Sequence, residues 1–335
     1  MLRFLIVGFG SIGKRHFENL KQIGDIELSI LSRRNLNLPD TRVYSSMEEA
    51  CRQSFDAVII ANETARHIPT AMKFAERGYN LFIEKPLSHN LAGIDKLTGL
   101  VDRHNLKVMM GCNMRFHPVI SSVEGLIRER RIGRTISARA EVGQYLPDWR
   151  PGRDYRNSYS ASKERGGGVI LDLIHELDYA YWFFGDARRV FSFGGKRSDL
   201  EIETEDVAEI LMEFENGAIA EVHLDYLQHN PSRNFKIIGT SGTICADLIT
   251  NKVEIFDTAR HNMEAINLDT GFEKNKMYLD EMKHFVKYIQ GKITEPMVSL
   301  SHGIKVLQIA LAAKESALTG KVIDIQERGE LAWRQ

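Results

Sequence analysis

The sequence predicts an α/β protein of two domains. The first is built on a parallel sheet, and the second is an α/β domain with an open, mainly antiparallel sheet. Three observations predict this. Short β-branched runs alternate with helical patterns through the first third of the chain. A glycine-rich turn, Gly8-Phe9-Gly10-Ser11-Ile12-Gly13, stands at the first strand–helix junction. Beyond residue 185, strand-like runs follow one another without helices. At 335 residues the chain exceeds what one hydrophobic core ordinarily fills, and the boundary is read as 1–118 and 119–335.

The elements follow in order. Residues 2–7 form a strand and 12–23 a helix, with Phe17, Leu20 and Ile23 on one face. A strand at 26–31 and a short helix at 47–53 come next. Residues 56–60 are apolar without alternation, as in a strand covered on both faces. A helix at 65–77 is closed by Gly78, and a strand at 79–83, a helix at 90–104 and a strand at 107–110 follow. The pattern changes near Phe116. A helix runs to about 130 and a strand occupies 136–142. The segment 146–165, rich in Pro, Gly, Arg, Asp and Tyr, is long enough for a functional loop. A helix at 169–184 precedes strands at 189–196, 206–215, 218–226, 234–239, 243–247 and 252–256. Asn216-Gly217 marks a hairpin. Helices at 277–288 and 301–316 complete the order.

Composition excludes several classes. Hydrophobic residues make up 43% and charged residues 27%, with a net charge of −1. This balance gives no electrostatic reason for a nucleic-acid or anionic-membrane partner. Cys51, Cys112 and Cys245 form no CxxC pair, so neither a disulfide framework nor a cysteine zinc site is expected, and no metal is predicted. The N-terminal apolar run stops at Gly8, too soon for a secretory signal, and no segment approaches the ~20 apolar residues of a membrane span. The expected compartment is the cytoplasm.

Gly8, Gly10 and Gly13, with Ser11 and Ile12 between them, suit a dinucleotide. The glycines permit a tight turn and close approach of a pyrophosphate to a helix N-terminus. The plain alternative is a turn made for packing. The second strand ends in Leu31-Ser32-Arg33-Arg34, where a carboxylate would be expected for the ribose hydroxyl of NAD. A hydroxyl and two guanidiniums favour the 2′-phosphate of NADP, with NAD as the alternative. Glu84-Lys85-Pro86 ends a parallel strand, the edge where ligands bind; a surface salt bridge beside a turn proline is the alternative. Gly166-Gly167-Gly168 leads into a helix carrying Asp172 and His175, three apart and so on one face. A histidine partnered in the core is the alternative there.

These motifs, together with Ala61-Asn62-Glu63-Thr64-Ala65-Arg66-His67, Gly111-Cys112-Asn113-Met114-Arg115-Phe116-His117-Pro118 and the stretch 166–178, resemble the Gfo/Idh/MocA oxidoreductases, relatives of glucose-fructose oxidoreductase and inositol dehydrogenase. The resemblance covers nearly the whole chain. It implies a Rossmann domain and an NAD(P)-dependent reaction on a sugar, cyclitol or related polyol. It implies cofactor contacts from Ala61, Asn62, Glu63, His67, Glu84, Lys85 and Asn113. It places Lys85 and His175 in the catalytic positions: His175 as general base or acid, Lys85 polarising the same oxygen, and Asp172 orienting His175. Two departures stand out. The family commonly spaces the aspartate and histidine four apart, and Glu63 replaces a usual proline. The segment Trp149-Arg150-Pro151-Gly152-Arg153-Asp154-Tyr155-Arg156 is similar to members acting in bacterial surface-sugar biosynthesis. That likeness suggests an acidic or nucleotide-linked sugar, with Arg115, Trp149, Tyr155, Arg156, Asp172 and His175 as substrate contacts. The fold also hosts NAD-dependent glycosidases and non-catalytic cofactor-sensing regulators; a regulator has no need of both Lys85 and His175. An exposed sheet in the second domain suggests a homodimer or homotetramer.

Overall fold

The first strands of the chain are buried on both sides. Phe4, Leu5, Ile6, Val58, Ile59, Ile60, Leu81, Phe82 and Ile83 have no exposed surface, which requires helices on both faces of their sheet. The computed structural model describes residues 1–268 and 271–325. In chain order the first elements are β1 (Leu2–Val7), α1 (Ser11–Ile23), β2 (Ile26–Leu31), β3 (Arg42–Tyr44), α2 (Met47–Ala50), β4 (Ala57–Ile60), α3 (His67–Ala75), β5 (Asn80–Glu84), α4 (Ile94–His104) and β6 (Val108–Gly111). The sheet runs β3-β2-β1-β4-β5-β6, and every pair is parallel. This is the doubly wound order whose carboxyl edge binds ligands. The expected helix at 65–77 begins instead as a 3₁₀ turn, Thr64–Arg66. The one at 90–104 starts only at Ile94, because Asn90 Oδ1 accepts the Ala92 amide at 3.0 Å and turns the chain first.

The chain continues through α5 (Pro118–Arg128), β7 (Thr135–Gly143), α6 (Val169–Asp172), α7 (His175–Phe184), β8 (Ala187–Gly195), β9 (Val207–Phe214), β10 (Ile219–Asp225), β11 (Ser232–Gly239), β12 (Gly242–Asp247), β13 (Lys252–Asp257), β14 (Asn262–Ile266), α8 (Lys274–Ile289), α9 (Leu300–Thr319) and β15 (Ile323–Asp324). The second sheet runs β14-β13-β12-β11-β7-β10-β9-β8-β15. Its neighbours are antiparallel except β7 and β10. One face is core: Ala208, Ile210, Met212 and Phe214 alternate inward on β9. The other carries exposed Phe193, Leu211, Ile219, Ile238 and Met263.

Two units result, 1–113 with 273–304, and 114–272 with the chain from 305 on. A single boundary after 118 does not express this, because the chain returns to the first unit. There α8 packs on α1, Phe285 meets the rings of Phe4 at 5.8 Å and Phe82 at 5.3 Å, and the Met110 amide donates to Val298 O at 2.9 Å. Among the described residues, no helix is long and apolar enough to cross a membrane.

Candidate active site

In the first unit the candidates gather along the carboxyl edge of the sheet. β1 is followed by Gly8, whose φ of 94° lies in the left-handed region. A Cβ on Gly8 would stand 2.7 Å from Ala61 O, and one on Gly13 would stand 2.1 Å from Gly8 O. These two glycines close the turn against the β4 loop. Gly10 differs. It caps α1 with no side-chain hydrogen bond, and a Cβ there meets nothing within 4 Å. The start of α1 thus presents an open cradle, with exposed Ser11 and half-buried Ile12 beside it. Amides at a helix start, without a capping side chain, fit a dinucleotide pyrophosphate.

At the end of β2, the Ser32 amide donates to Tyr44 O at 3.1 Å, and Ser32 Oγ accepts the Arg34 amide at 3.1 Å. Arg33 and Arg34 are exposed. At the end of β4, Ala61 is buried, Asn62 Nδ2 donates to Thr70 Oγ1 at 2.9 Å, and Glu63 lies 3.5 Å from Arg66. His67 is buried, with Nδ1 2.8 Å from Pro86 O and Nε2 3.2 Å from Asn62 O. Burial pushes its pKa below the ordinary value, against the raising effect of the two carbonyls. His67 therefore sits between the β4 and β5 loops, its neutral ring able to donate to one of the two carbonyls. Asn113 is likewise directed inward, its Nδ2 3.1 Å from Met277 Sδ.

β5 ends with buried Glu84, and half-buried Lys85 follows it. Glu84 Oε1 lies 2.5 Å from His16 Nε2, and Glu281 joins them with all three polar atoms within 4.8 Å. Two ligands of one zinc ion at ~2.1 Å bonds would stand roughly 3.4 Å apart; the observed contact is a hydrogen bond. Neither His16 nor Glu281 was expected from the sequence. The available signal was a polar residue inside an apolar helical stripe, His16 beside Phe17 and Leu20, and Glu281 beside Met277, Met282 and Phe285.

In the second unit the expected helix at 169–184 divides. Asp172 ends α6, Leu173 leaves helical geometry at φ −96° and ψ 30°, and His175 opens α7. Asp172 and His175 thus belong to two helices, which corrects the one-face reading. The glycines before them receive protein atoms: a Cβ on Gly167 would stand 2.2 Å from Tyr159 O, and one on Gly168 2.3 Å from Glu205 Oε1. The Tyr226 hydroxyl donates to Asp172 Oδ2 at 2.6 Å, and Tyr159 hydrogen-bonds the same carboxylate. Burial first, then Asp172, raises both phenols well above their ordinary value, so they remain donors. Neither tyrosine was anticipated; Tyr159 comes from the preceding loop, and Tyr226 from the end of the β10 segment, 54 residues on.

Arg115 requires a correction. Its Nε and Nη2 donate to Asp178 at 3.0 and 2.8 Å, and its guanidinium lies 4.8 Å from the Trp182 ring centroid. With 2% exposure it is a buried structural cation rather than a substrate contact. Arg156 is exposed and held by Asp154 at 2.8 Å and Glu201 at 2.7 Å. The Tyr155 hydroxyl accepts the Glu201 amide at 3.2 Å. Trp149 Nε1 donates to Gln144 O at 3.0 Å, and its ring meets Tyr226 edge-on.

Comparisons with known proteins agree with this architecture. Residues 2–112 match an oxidoreductase family with an NAD-binding Rossmann fold, and residues 120–245 match the GFO/IDH/MocA C-terminal domain. Myo-inositol 2-dehydrogenase of Thermotoga maritima is 26% identical over 97% of this chain and 99% of its own. The crystal structure of a probable dehydrogenase from Thermotoga maritima superposes with a TM-score of 0.79 at 25% identity, covering 97% of this chain and 100% of that one. Levoglucosan dehydrogenase in complex with NADH shares the fold at a TM-score of 0.85 and 20% identity, over 97% of this chain and 99% of that one.

Proposed function

Since this chain belongs to the GFO/IDH/MocA oxidoreductase family, we propose that it transfers hydride between a nicotinamide dinucleotide and the carbinol carbon of a sugar or polyol. The observation that carries the reading is the open cradle at Gly10, on the ligand-binding edge of a doubly wound sheet and two strands away from β5, which Lys85 follows. Amides at the start of α1 would hold the pyrophosphate. When bound, the dinucleotide supplies the hydride acceptor in oxidation or the donor in reduction. His175 takes the hydroxyl proton during oxidation and returns it during reduction. Lys85 donates a hydrogen bond to the same oxygen and stabilises its developing negative charge. Asp172, clasped by Tyr226 and Tyr159, anchors the chain just before His175.

Ser32, Arg33 and Arg34 carry the preference for NADP over NAD. The narrower reading of an acidic or nucleotide-linked substrate rests on the arginines and tyrosines of 149–156, with Arg115 a further substrate candidate. Arg115 and Arg156 are both engaged by carboxylates, so the proposal extends to a sugar or polyol only. The exposed apolar residues on the second sheet support association with further copies of the chain, as dimer or tetramer.

The test is turnover, followed at the nicotinamide absorbance band with a panel of sugars and polyols. Lys85→Met and His175→Asn should each lose about 10²–10⁴ in rate while retaining cofactor affinity and the wild-type melting curve. Variants that keep turnover, or lose it only by unfolding, refute the proton relay.

A further inference from the structure

His16, Glu84 and Glu281 lie outside the chemistry described above, yet they bring three elements together. His16 is wholly buried on α1, six residues after Gly10. Glu84 is the last residue of β5, immediately before Lys85. Glu281 is wholly buried on α8. The surroundings are aromatic: the His16 ring meets Phe82 at 5.2 Å, and Phe82 meets Phe285 at 5.3 Å. The 2.5 Å contact of His16 Nε2 with Glu84 Oε1 is a buried hydrogen bond. Removing one partner would leave the other buried with an unmet requirement, which makes the link costly to break. It fastens the cradle helix to the end of the strand that delivers Lys85. Successive strand residues face opposite ways, so fixing Glu84 toward α1 also fixes the rotation of the chain at Lys85.

We propose that His16 is a positioning residue for Lys85, holding the end of β5 through Glu84 so that the ammonium is aimed at the reacting oxygen. The inference rests on the reading of Lys85 as catalytic. A small misplacement of a reacting group is enough to cost about 10²-fold in rate, so a residue that never touches substrate can control turnover.

Two full-length variants separate positioning from mere packing. His16→Gln places an amide donor where Nε2 sits and keeps the bond to Glu84. His16→Asn places it where Nδ1 sits and breaks the bond at similar polarity. The first readout is turnover. His16→Asn should lower kcat about 10- to 100-fold with KM for the cofactor within about threefold, and His16→Gln should restore most of kcat. The second needs neither substrate nor cofactor: the rate of Lys85 acetylation, read by mass spectrometry. His16→Asn should change it by about threefold or more, His16→Gln should not, and Lys14 and Lys107 should label as in wild type. Wild-type labelling of Lys85 in His16→Asn overturns the proposal, as do equal kcat losses in two variants that melt like wild type. If the wild-type chain turns over no sugar or polyol, the functional reading fails on its own, and the labelling still decides for or against His16.

Discussion

A glycine can be needed for the fold or for a ligand, and the cradle contains both kinds. Gly13 has no room for a Cβ, which would stand 2.1 Å from Gly8 O. Gly13→Ala should therefore destabilise the cofactor-free chain by about 1–3 kcal/mol or more. Gly10 has open space. Gly10→Val should leave the melting curve in place and abolish dinucleotide binding in calorimetry, because the side chain would occupy the pyrophosphate's place. Normal binding by Gly10→Val would rule out the cradle. Arg33 is exposed, so its removal tests recognition without disturbing packing. A charge-assisted contact to phosphate contributes about 1.5–3 kcal/mol. Arg33→Ala should weaken NADP about 10- to 100-fold and leave NAD nearly unchanged; equal losses, or a wild-type preference for NAD, would contradict it. The turn at Gly8–Gly13 was legible because glycines so spaced leave a strand and open a helix. Arg115 was not legible: sequence cannot distinguish an arginine that awaits a ligand from one that meets Asp178 inside the protein.

Elements were legible wherever burial is regular. β1 and β2 have their expected bounds because each is a mainly apolar run ended by a turn. β3, β14 and β15 were missed. β3 and β15 are only three and two residues long, and β14 exposes most of its residues, so none carries a periodic signal. Between β9 and β10, a pair in register has a measurable consequence. His223 Nε2 lies 2.8 Å from Asp225 and Nδ1 2.6 Å from Glu209, its partner across the strands. The bond to Asp225, opposed by burial and assisted by Glu209, raises His223 to about 9. A folded-state value above the ordinary 6.5 contributes stability that is complete below 6.5 and is lost as pH rises through about 9. The group is partly exposed, and solvent screening holds the effect below roughly 1 kcal/mol. Denaturant unfolding midpoints should fall between pH 6.5 and 9, and His223→Gln should flatten that decline. An unchanged slope in the variant would assign it to other groups.

On the scale of the whole molecule, the sequence order conceals the structural order. Two domains in succession are what composition and the alternation of elements suggest, yet 273–304 belongs with 1–113. No local pattern reveals that return, because an amphipathic helix does not declare which sheet it covers. A fragment of residues 1–118 lacks Phe285 against Phe4 and Phe82, and lacks Glu281 beside His16 and Glu84. It should show no cooperative thermal transition by circular dichroism. Residues 1–113 joined to 273–304 by a short Gly-Ser linker should melt cooperatively and bind dinucleotide. Asn113 already reaches Met277 at 3.1 Å, so the ends to be joined are close. Cooperative melting of 1–118 alone would refute this account of α8.

The same discontinuity governs the chain as it leaves the ribosome. The nucleotide cradle is among the first parts translated and among the last completed, since its unit needs residues as far as Ile304. Until α8 is made, as far as Ile289, the nascent β1 and β5 lack the helix that covers Phe4 and Phe82, the state in which growing chains associate with one another or are held by chaperones. A message truncated anywhere before that point therefore yields a sticky, unfinished sheet rather than a small working nucleotide-binding protein.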